Sequence, residues 1–514
     1  MFSSLYHIQR IFRIAWVLAR FDALFLLKEA HLVPIIVIIA SIGKKPLSEK
    51  RRGQRLAQAL QTLGPSFIKF GQAIATRPDL IGKDVANDLS TLQDRLPPFS
   101  SDEARKTIEA ELGKPIEQLF SSFQNKPIAA ASIAQVHCAV TLNGEKVAVK
   151  VLRPNIEAAF ERDLSLFLWL AKLAERTIPS TRRLKPVEIV QTLANSVRGE
   201  MDLRLEAAAA SELAENMKLS DGFLVPNVYW SHTNKRVLTT ERINGIRIDD
   251  IEAIKLSGQN TSQIIEYAAN AFFRQVFFDG FFHADLHPGN LLVSSDGKVI
   301  ALDFGIMGRL DRNTRRYLAQ MLLGFLSGDY EKVAEIHFEA GYVPRNQSIT
   351  HFTQSIRAIG EPVMRQPLKE ISIARLLGQL FEVTQNFQME TQPQLLLLQK
   401  SLLMAEGICR QLNPDENMWE LAHPLIEEWV NKNMGLAPQA IDTSLALISA
   451  AKKFPQMVNK AESVLQNLEQ RFYPESHTRR TFFSFLSKVS TLNFLLIIVV
   501  LLLLTLIFLE LFLI

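Results

Sequence analysis

The sequence predicts an α+β fold of two lobes, with a helical extension in front and a membrane-spanning helix at the end. Strand-like runs lie between residues 126 and 245, and helical patterns dominate from 246 to 430. Residues 494–514 are apolar except for Thr505 and Glu510. Because about 20 apolar residues cross the hydrocarbon core of a bilayer, this last run predicts a transmembrane helix.

Composition limits the class of protein. The chain has 514 residues, enough for two or three domains or for one large bilobal domain with additions. Its net charge of +4 is too small to indicate a nucleic-acid-binding protein. Neither Cys138 nor Cys409 belongs to a C-x-x-C pair. We therefore expect no nucleic-acid partner and no disulfide or zinc framework, and a reducing compartment fits.

The two ends of the chain carry the membrane signals. Basic residues in the first 60 positions alternate with Phe, Leu, Ile and Trp, which suits an anionic leaflet; a solvated helix face beside ordinary core is the alternative. The apolar run at 32–42 is too short to span and is interpreted as interfacial or buried. Basic Arg479, Arg480 and Lys488 precede the C-terminal run, so the positive-inside rule keeps the main body in the cytoplasm.

We divide the chain into six predicted segments. They are an amphipathic, membrane-proximal N-terminus (1–45), a helical extension (46–125), a smaller lobe (126–245), a larger lobe (246–430), a helical linker region (431–490) and a transmembrane helix (491–514). The extension should break at Gly64-Pro65. In the smaller lobe we expect strands at 146–152 and 236–241 and one long helix over 187–219.

In the larger lobe, an apolar helix is expected to end at Phe281-Phe282. A strand-turn-strand should then occupy 290–303, with Asp296-Gly297 at the turn.

Two motifs on this part of the chain point to phosphoryl transfer. The octapeptide His283-Ala284-Asp285-Leu286-His287-Pro288-Gly289-Asn290 is followed by Asp303-Phe304-Gly305. The pattern matches the H-x-D-x-x-x-x-N and D-F-G motifs of protein kinases, so we predict a protein-kinase-like bilobal fold. We expect Asp285 to act as base or to position water. We expect Asn290 and Asp303 to hold Mg²⁺, which prefers hard oxygen ligands.

A lysine suited to ATP phosphates lies upstream. Lys150 ends Val147-Ala148-Val149-Lys150, which matches the V-A-I-K strand of kinases. Its carboxylate partner should come from the long helix that follows, where Glu200, Asp202 and Glu206 are candidates and Glu206 is the first choice. A solvated acidic face remains the alternative for any one of the three.

An alanine-rich segment stands where the glycine-rich loop of kinases is expected. We predict that this segment contacts ATP together with Lys150 and Glu206; its residues are Ala129, Ala130, Ala131, Ser132, Ile133, Ala134, Gln135, Val136 and His137. Alanine disfavours the positive φ angles that glycine adopts, so the loop should be stiffer over the phosphates than in ordinary protein kinases. The sequence contains neither a P-loop nor a Rossmann fingerprint.

Together with Lys69-Phe70-Gly71-Gln72, this segment resembles the UbiB family of atypical kinases. The family carries a K-x-G-Q motif before the kinase fold and an E-x-D motif, here Glu200 and Asp202. Leu92-Gln93-Asp94 and Gln392-Pro393-Gln394-Leu395 also resemble family segments, and the resemblance covers about residues 45–430. It implies that Lys69, Gly71 and Gln72 lie over the site, with Lys69 meeting Glu200 and Asp202 and blocking a protein substrate.

The resemblance also implies a biological role. It places the protein in ubiquinone biosynthesis on the cytoplasmic face of the bacterial inner membrane, acting by ATP hydrolysis or phosphorylation. ATP or ADP and Mg²⁺ are the implied cofactors. Polyprenylated quinone precursors, membrane lipid and other proteins of the pathway are the implied partners.

Three alternatives stay open beside this role. A non-catalytic scaffold could bind nucleotide as a structural ligand, and a polyprenylphenol monooxygenase would need a flavin or iron site. A small-molecule kinase shares the catalytic-loop pattern but has no reason to carry the K-x-G-Q motif. The phosphoryl acceptor and the oligomeric state stay open.

Overall fold

The structure, a computed structural model, describes most of the chain before residue 435. The described residues are 2–23, 51–75, 81–90, 96–177, 186–218, 220–364, 392–416 and 418–434, with isolated positions at 25, 92, 379, 383 and 386–389. All but the last three belong to one compact unit, Met1–Asn431. The apolar run at 32–42 and the predicted transmembrane helix at 494–514 lie outside these ranges. In the part that is described, no helix is both long enough and apolar enough to cross a membrane.

Helices form the N-terminal part of the chain. They are α1 (Phe2–Arg20), α2 (Arg52–Leu63), α3 (Pro65–Ala75) and α4 (Lys83–Ser90). The break predicted at Gly64-Pro65 is confirmed. Gly64 has a φ of 110°, and Pro65 begins α3, a position where its missing N–H breaks no helical hydrogen bond. Some of the basic residues in this region form ion pairs within the protein, as Arg10 does with Asp163.

A five-stranded sheet forms the smaller lobe. The elements of this part of the chain are α5 (Ser101–Leu112), α6 (Ile116–Leu119), β1 (Phe120–Phe123), β2 (Ala129–Ala130), β3 (Ala134–Thr141), β4 (Lys146–Leu152), α7 (Ile156–Thr177), α8 (Pro186–Glu200), α9 (Leu203–Asn216), β5 (Phe223–Leu224) and β6 (Val237–Glu241). The sheet order is β1-β3-β4-β6, and β2 pairs with β3. The strand predicted at 146–152 is confirmed as β4, and the one predicted at 236–241 is β6.

The single helix predicted over 187–219 is wrong. Two helices, α8 and α9, occupy this stretch because Asp202 starts a new one. The Asp202 side chain accepts a hydrogen bond from the backbone N–H of Arg204, an N-cap that competes with continued helix. The acidic residues of this stretch therefore lie on separate elements: Glu200 ends α8, and Glu206 lies in the first turn of α9.

The larger lobe is mainly helical. Its elements are β7 (Ile246–Arg247), α10 (Ile251–Leu256), α11 (Thr261–Phe273), a π-helix (Arg274–Asp279), β8 (Phe281–His283), β9 (Leu291–Val293), β10 (Val299–Ala301), β11 (Met307–Arg309), α12 (Arg312–Ser327), α13 (Tyr330–Glu339), α14 (Ile349–Met364), α15 (Pro393–Leu412) and α16 (Met418–Met434). A second sheet has the order β5-β10-β9-β7, and β8 pairs with β11 in a third.

The helix predicted to end at Phe281-Phe282 instead ends earlier. The π-helix follows α11 and stops at Gly280, whose φ is 65°, and the two phenylalanines then enter strand β8. In β8, Phe282 pairs with Gly308 and His283 pairs with Met307. The apolar character of the run reflects a buried strand, which periodicity alone does not separate from a buried helix. The predicted hairpin is confirmed: β9 and β10 are antiparallel, and Gly297 has a φ of 80° at the turn.

The sheet of the smaller lobe separates two apolar clusters. On one face, Val147, Val149 and Val151 of β4 pack with Ile108 of α5 and Phe120 of β1. On the other side, the start of β3 and the end of β4 pack with helices α2, α3 and α7 in a larger cluster. Side chains alternate along a strand, so the three valines on one face direct Ala148 and Lys150 to the opposite face. The N-terminal helices therefore lie on the same side of the sheet as Lys150.

Candidate active site

Lys150 lies at the centre of the candidate site. Its Nζ is 2.7 Å from Glu206 Oε1, 2.9 Å from Glu206 Oε2 and 3.4 Å from Asp303 Oδ1. The predicted Lys150–Glu206 ion pair is therefore present, and the side chains are only 18% and 9% exposed. This contact joins β4 to α9, and Asp303 links it to the segment after β10. The structure thus brings together three of the residues chosen from sequence.

The charges of this cluster support one another. Burial alone would lower the pKa of Lys150, but the carboxylates of Asp303 and Glu206 outweigh it and raise that pKa, so the lysine stays protonated. The Lys150 ammonium in turn lowers the pKa of Asp303 to about 2, against the effect of burial. Burial raises the pKa of Glu206, and Lys150 offsets part of that effect. The cluster presents a fixed cation beside an ionised carboxylate.

Asp303 adopts an unusual backbone conformation. Its φ of 52° is in the left-handed region, where Asp is tolerated better than most side chains. The backbone N–H of Gly305 donates to Asp303 Oδ1 at 3.2 Å. The backbone N–H of Leu302 donates to the carbonyl of Asn290 at 2.8 Å. The Gly305 bond stabilises the local turn, and the Leu302 bond holds the end of β10 against the loop that carries Asp285 and Asn290.

Buried His283 organises that loop. Its backbone N–H donates to Gln275 Oε1 of the π-helix at 3.0 Å, and its Nδ1 accepts from the Asp285 N–H at 3.2 Å. Its Nε2 is 3.3 Å from the carbonyl of Leu302, which fits a neutral ring protonated at Nε2. Burial lowers the pKa of His283, in agreement with that neutral form. His283 is therefore a structural element of the loop.

Asn290 and Asp303 have the chemistry of magnesium ligands. Asn290 Nδ2 donates to the backbone carbonyl of Asp285 at 3.1 Å, so its Oδ1 is left to bind a cation. Together with the Asp303 carboxylate this gives two hard oxygen donors, and Mg²⁺ commonly completes its shell with water and phosphate oxygens. Among the described residues no group of three or more His, Cys, Asp or Glu side chains could hold a metal ion.

The side chains of the alanine-rich segment face both sides of the sheet. Val136 pairs with Lys150 across β3 and β4, so both side chains face the same side of the sheet. Gln135 and His137 face the other side: the Gln135 Oε1 accepts from the backbone N–H of Phe99, and His137 Nδ1 is 2.9 Å from the carbonyl of Gln124. The side chains of Gln135 and His137 therefore face away from Lys150, because neighbouring side chains alternate along a strand, and contact of the segment with ATP stays a prediction.

Arg153, which was not predicted as a site residue, holds the loop before β3 in place. Ala129 and Ala130 form β2, and the carbonyl of Ala131 accepts two hydrogen bonds from the Arg153 guanidinium, at 2.8 and 3.2 Å. Ser132 is fully buried, and its Oγ makes no hydrogen bond to any described residue. An unsatisfied buried hydroxyl is costly, so this position is suited to an incoming hydrogen-bond partner.

The K-x-G-Q residues lie against the same site. Lys69 Nζ is 2.8 Å from Glu200 Oε2, and Gln72 Nε2 is 3.3 Å from the carbonyl of Leu92. A Cβ added to Gly71 would approach Leu60 Cδ1 and Leu92 Cδ1 to 2.6 Å each, so glycine permits the close packing of α3 here. The positive charge of Lys69 also contributes to the low pKa of Asp303.

The expectation for Asp202 differs from what the structure shows. Asp202 pairs with Arg204 at 2.6 Å as the cap of α9, and Lys69 meets Glu200 of the motif. A cation from a distant helix was also missed: Lys400 Nζ of α15 is 2.7 Å from Asp285 Oδ1. Its only sequence signal was the nearby segment Gln392–Leu395, for which no role was predicted.

Comparison with protein-family models agrees with this geometry. Residues 91–337 match the ABC1 atypical kinase-like domain, and residues 356–417 match the UbiB helical domain. The chain is 43% identical over 483 residues to the "Probable protein kinase UbiB" of Marinobacter nauticus, covering 92% of this chain and 88% of that protein. This chain belongs to the UbiB family of atypical kinases.

Other members show the same extent of similarity. Proteins with the same name match from Aeromonas salmonicida (42% identity, 86% of this chain, 81% of that protein) and Pseudomonas aeruginosa (40%, 91% and 89%). A solved structure from Mycobacterium tuberculosis, in complex with erythromycin, is 24% identical with a TM-score of 0.49, over 70% of this chain and 91% of that one. Family membership supports the protein-kinase-like α+β fold predicted from sequence.

Proposed function

We propose that this chain binds MgATP and hydrolyses it or transfers its γ-phosphoryl group in support of ubiquinone biosynthesis at the bacterial inner membrane. The observation that carries the proposal is the position of Lys150 between Glu206 and Asp303, at 2.7 and 3.4 Å. The Lys150 side chain is only 18% exposed, and the two carboxylates that hold it come from two other segments of the chain; such a partly desolvated ion cluster is costly to assemble. Binding of the phosphates of a nucleotide gives that arrangement a use.

Each residue has a role in this proposal. Lys150 stays charged and contacts the α- and β-phosphates, and Glu206 orients it. Asp285 accepts the proton of the attacking hydroxyl or positions a water, a task for an exposed carboxylate on a rigid loop. The Asn290 amide and the Asp303 carboxylate would hold Mg²⁺, which when bound neutralises charge on the phosphate oxygens.

The helical extension is proposed to restrict access to the site. Lys69 and Glu200 are only 12% and 15% exposed, so their ion pair holds α3 next to the cluster around Lys150. With α3 there, a folded protein substrate has little room to approach Asp285. A small lipid substrate or water then fits better as the phosphoryl acceptor. Polyprenylated quinone precursors and membrane lipid are the partners that we propose, and the name UbiB of the relatives supports that pathway.

The same restriction favours one competing function. A protein whose site is covered could retain nucleotide only as a structural ligand and serve as a lipid-binding scaffold in the same pathway. Nucleotide turnover separates the two functions.

The test is phosphate release from MgATP by the full chain in detergent micelles, with and without anionic liposomes and a phenolic mimic of a quinone precursor. We expect turnover that rises with liposomes or phenol and falls at least about 100-fold in Asp303→Asn, because the variant loses a charged metal ligand. Asp296→Asn, in the β9–β10 turn, is the matched control and should behave as wild type. Turnover that persists in Asp303→Asn would contradict the assigned site, and nucleotide binding without turnover would favour the scaffold.

A further inference from the structure

One contact joins the two parts of the chain that match different family models. Lys400 Nζ donates to Asp285 Oδ1 at 2.7 Å. Asp285 belongs to the kinase-like match at 91–337, whereas Lys400 belongs to the helical-domain match at 356–417. A segment outside the kinase-like domain therefore places a cation on the candidate base.

The position of Lys400 is fixed by the packing of its helix. On α15, Leu398, Leu402 and Ile408 are buried, and Asn413 at the C-terminal end hydrogen-bonds to Ser262 of α11. Lys400 projects from the solvent side of this anchored helix, with its side chain 45% exposed. The helix backbone is held in place, and the flexible four-carbon stem of the lysine leaves its ammonium able to move.

The charges around Asp285 favour a cation beside an approaching γ-phosphoryl group. The catalytic loop contains no Lys or Arg, and His287 Nδ1 accepts a hydrogen bond from the Gly289 N–H of its own loop. Lys150 is already held by Glu206 and Asp303. A γ-phosphoryl group that approaches Asp285 would therefore meet a carboxylate of like charge. A lysine or arginine on the transferring group is the usual solution in phosphoryl transfer.

We propose that Lys400 is the γ-phosphate ligand of this site, contributed by the UbiB helical domain. Lys400 rests on Asp285 and moves to the γ-phosphoryl oxygens when MgATP binds. The move leaves Asp285 free to take the proton of the acceptor. The acceptor oxygen then forms its bond to phosphorus while the bond to the β-phosphate oxygen breaks and ADP leaves. Lys400 itself forms no covalent bond. This inference rests on the proposed function, because it needs ATP in the site.

The experiment compares ATP with ADP, which lacks the group that Lys400 would touch. Equilibrium dissociation constants for MgATP and MgADP, and phosphate release, are measured on the full chain in detergent micelles. We expect Lys400→Met to weaken MgATP binding about ten-fold, to leave MgADP binding unchanged and to lower kcat about 100-fold. Lys400→Arg should stay within about three-fold of wild type for MgATP, because it keeps the charge.

The control variant is Lys332→Met, which removes another exposed lysine paired to a carboxylate, Glu335, on helix α13. It should match wild type in both dissociation constants. A melting temperature equal to that of wild type would show that Lys400→Met is folded, as expected for a partly exposed ion pair.

The outcomes separate this inference from the proposed function. Equal loss of MgATP and MgADP binding in Lys400→Met, or no loss of either, would overturn the role of Lys400. Absence of MgATP binding by wild type would overturn both. If wild type binds MgATP without releasing phosphate and Lys400→Met still loses only MgATP binding, the γ-phosphate contact stands and the catalytic part of the proposed function fails.

Discussion

Two lysines from outside the kinase-like domain meet acids of the candidate site, one from α3 and one from α15, and their surroundings differ. The Lys69–Glu200 pair lies on the side of the N-terminal helices, with side chains 12% and 15% exposed. The Lys400–Asp285 pair lies on the side of α15, with side chains 45% and 31% exposed. A buried pair is costly to separate, whereas a hydrated pair exchanges partners readily. The Lys69–Glu200 pair is thus suited to holding α3 in place, and the Lys400–Asp285 pair is suited to exchanging its partner for a ligand.

The largest expected effect follows from breaking the buried pair. Lys69→Met should leave Glu200 without this partner in a poorly hydrated position, which costs about 2–3 kcal/mol of local stability. Hydrogen exchange of peptides that cover Pro65–Ala75 measures this directly. Their exchange should accelerate by roughly 30- to 160-fold at neutral pH.

The matched experiment on the exposed pair is Lys400→Met, with exchange followed across Pro393–Leu412. A partly exposed ion pair is worth about 0–1 kcal/mol, so exchange should change by less than about five-fold. Equal acceleration in both variants would remove the distinction between a fastening pair and an exchangeable pair.

A smaller effect is expected at Ser132, on the buried side of the site. Its Oγ is buried and makes no hydrogen bond to the described residues, so Ser132→Ala should leave the melting temperature unchanged or raise it slightly. Affinity for MgATP should fall by about three- to ten-fold if a phosphate oxygen normally satisfies the hydroxyl.

Ser294→Ala provides the contrast, because the Ser294 hydroxyl bonds to Asp296 and to the backbone of Lys298. That variant should lose stability and keep its nucleotide affinity. Ser132→Ala with reduced stability and unchanged affinity would point to a purely structural hydroxyl.

The smallest effect is the pH dependence that Asp303 gives to stability, because its side chain is 50% exposed and solvent screens its charge. Its pKa is about 2 in the folded protein, below the ordinary value of 3.8 for an Asp carboxyl, mainly because of Lys150. A depressed pKa means that the unfolded chain binds the proton more readily, so the contribution of Asp303 to stability is full above about pH 4 and disappears as pH falls toward 2.

Melting temperatures of wild type and Asp303→Asn between about pH 3 and 7 test this sign. Their difference should be constant from about pH 5 upward and shrink below about pH 4. A difference that instead grows on acidification would exclude a charged Asp303 in the folded protein. Because Lys69 also lowers the Asp303 pKa, Lys69→Met should make this contribution smaller and complete its loss at slightly higher pH.

Local secondary structure was predictable from the sequence, as the hairpin at Asp296-Gly297 and the strand at 146–152 illustrate. Turn residues and apolar alternation act over a few residues, so the pattern contains the information. The Lys150–Glu206 pair was also predictable, since motif order placed a lysine strand before an acidic helix.

The features that the sequence did not predict depend on capping, burial and long-range packing rather than on local pattern. The cap at Asp202 divides a helical pattern just after Gly199, and Phe281-Phe282 form a buried strand where a buried helix has the same apolar pattern. The strand that begins at Ala134 was not predicted, so the sequence did not show that the Gln135 and His137 side chains face away from Lys150. Lys400 is 115 residues from Asp285 in sequence, and only the packing of α15 brings it there.

The two ion pairs become complete at different times during synthesis of the chain. Lys69 is made before Glu200, whereas Asp285 precedes Lys400 by 115 residues. At about 5–20 residues per second, the ribosome needs roughly 6 to 23 s to cover that interval. A nascent chain thus holds the partner that fastens its N-terminal helices before it holds the cation for its catalytic loop. We expect the Lys69–Glu200 contact to form early in translation. The Lys400–Asp285 contact can form only after the helical domain emerges from the ribosome.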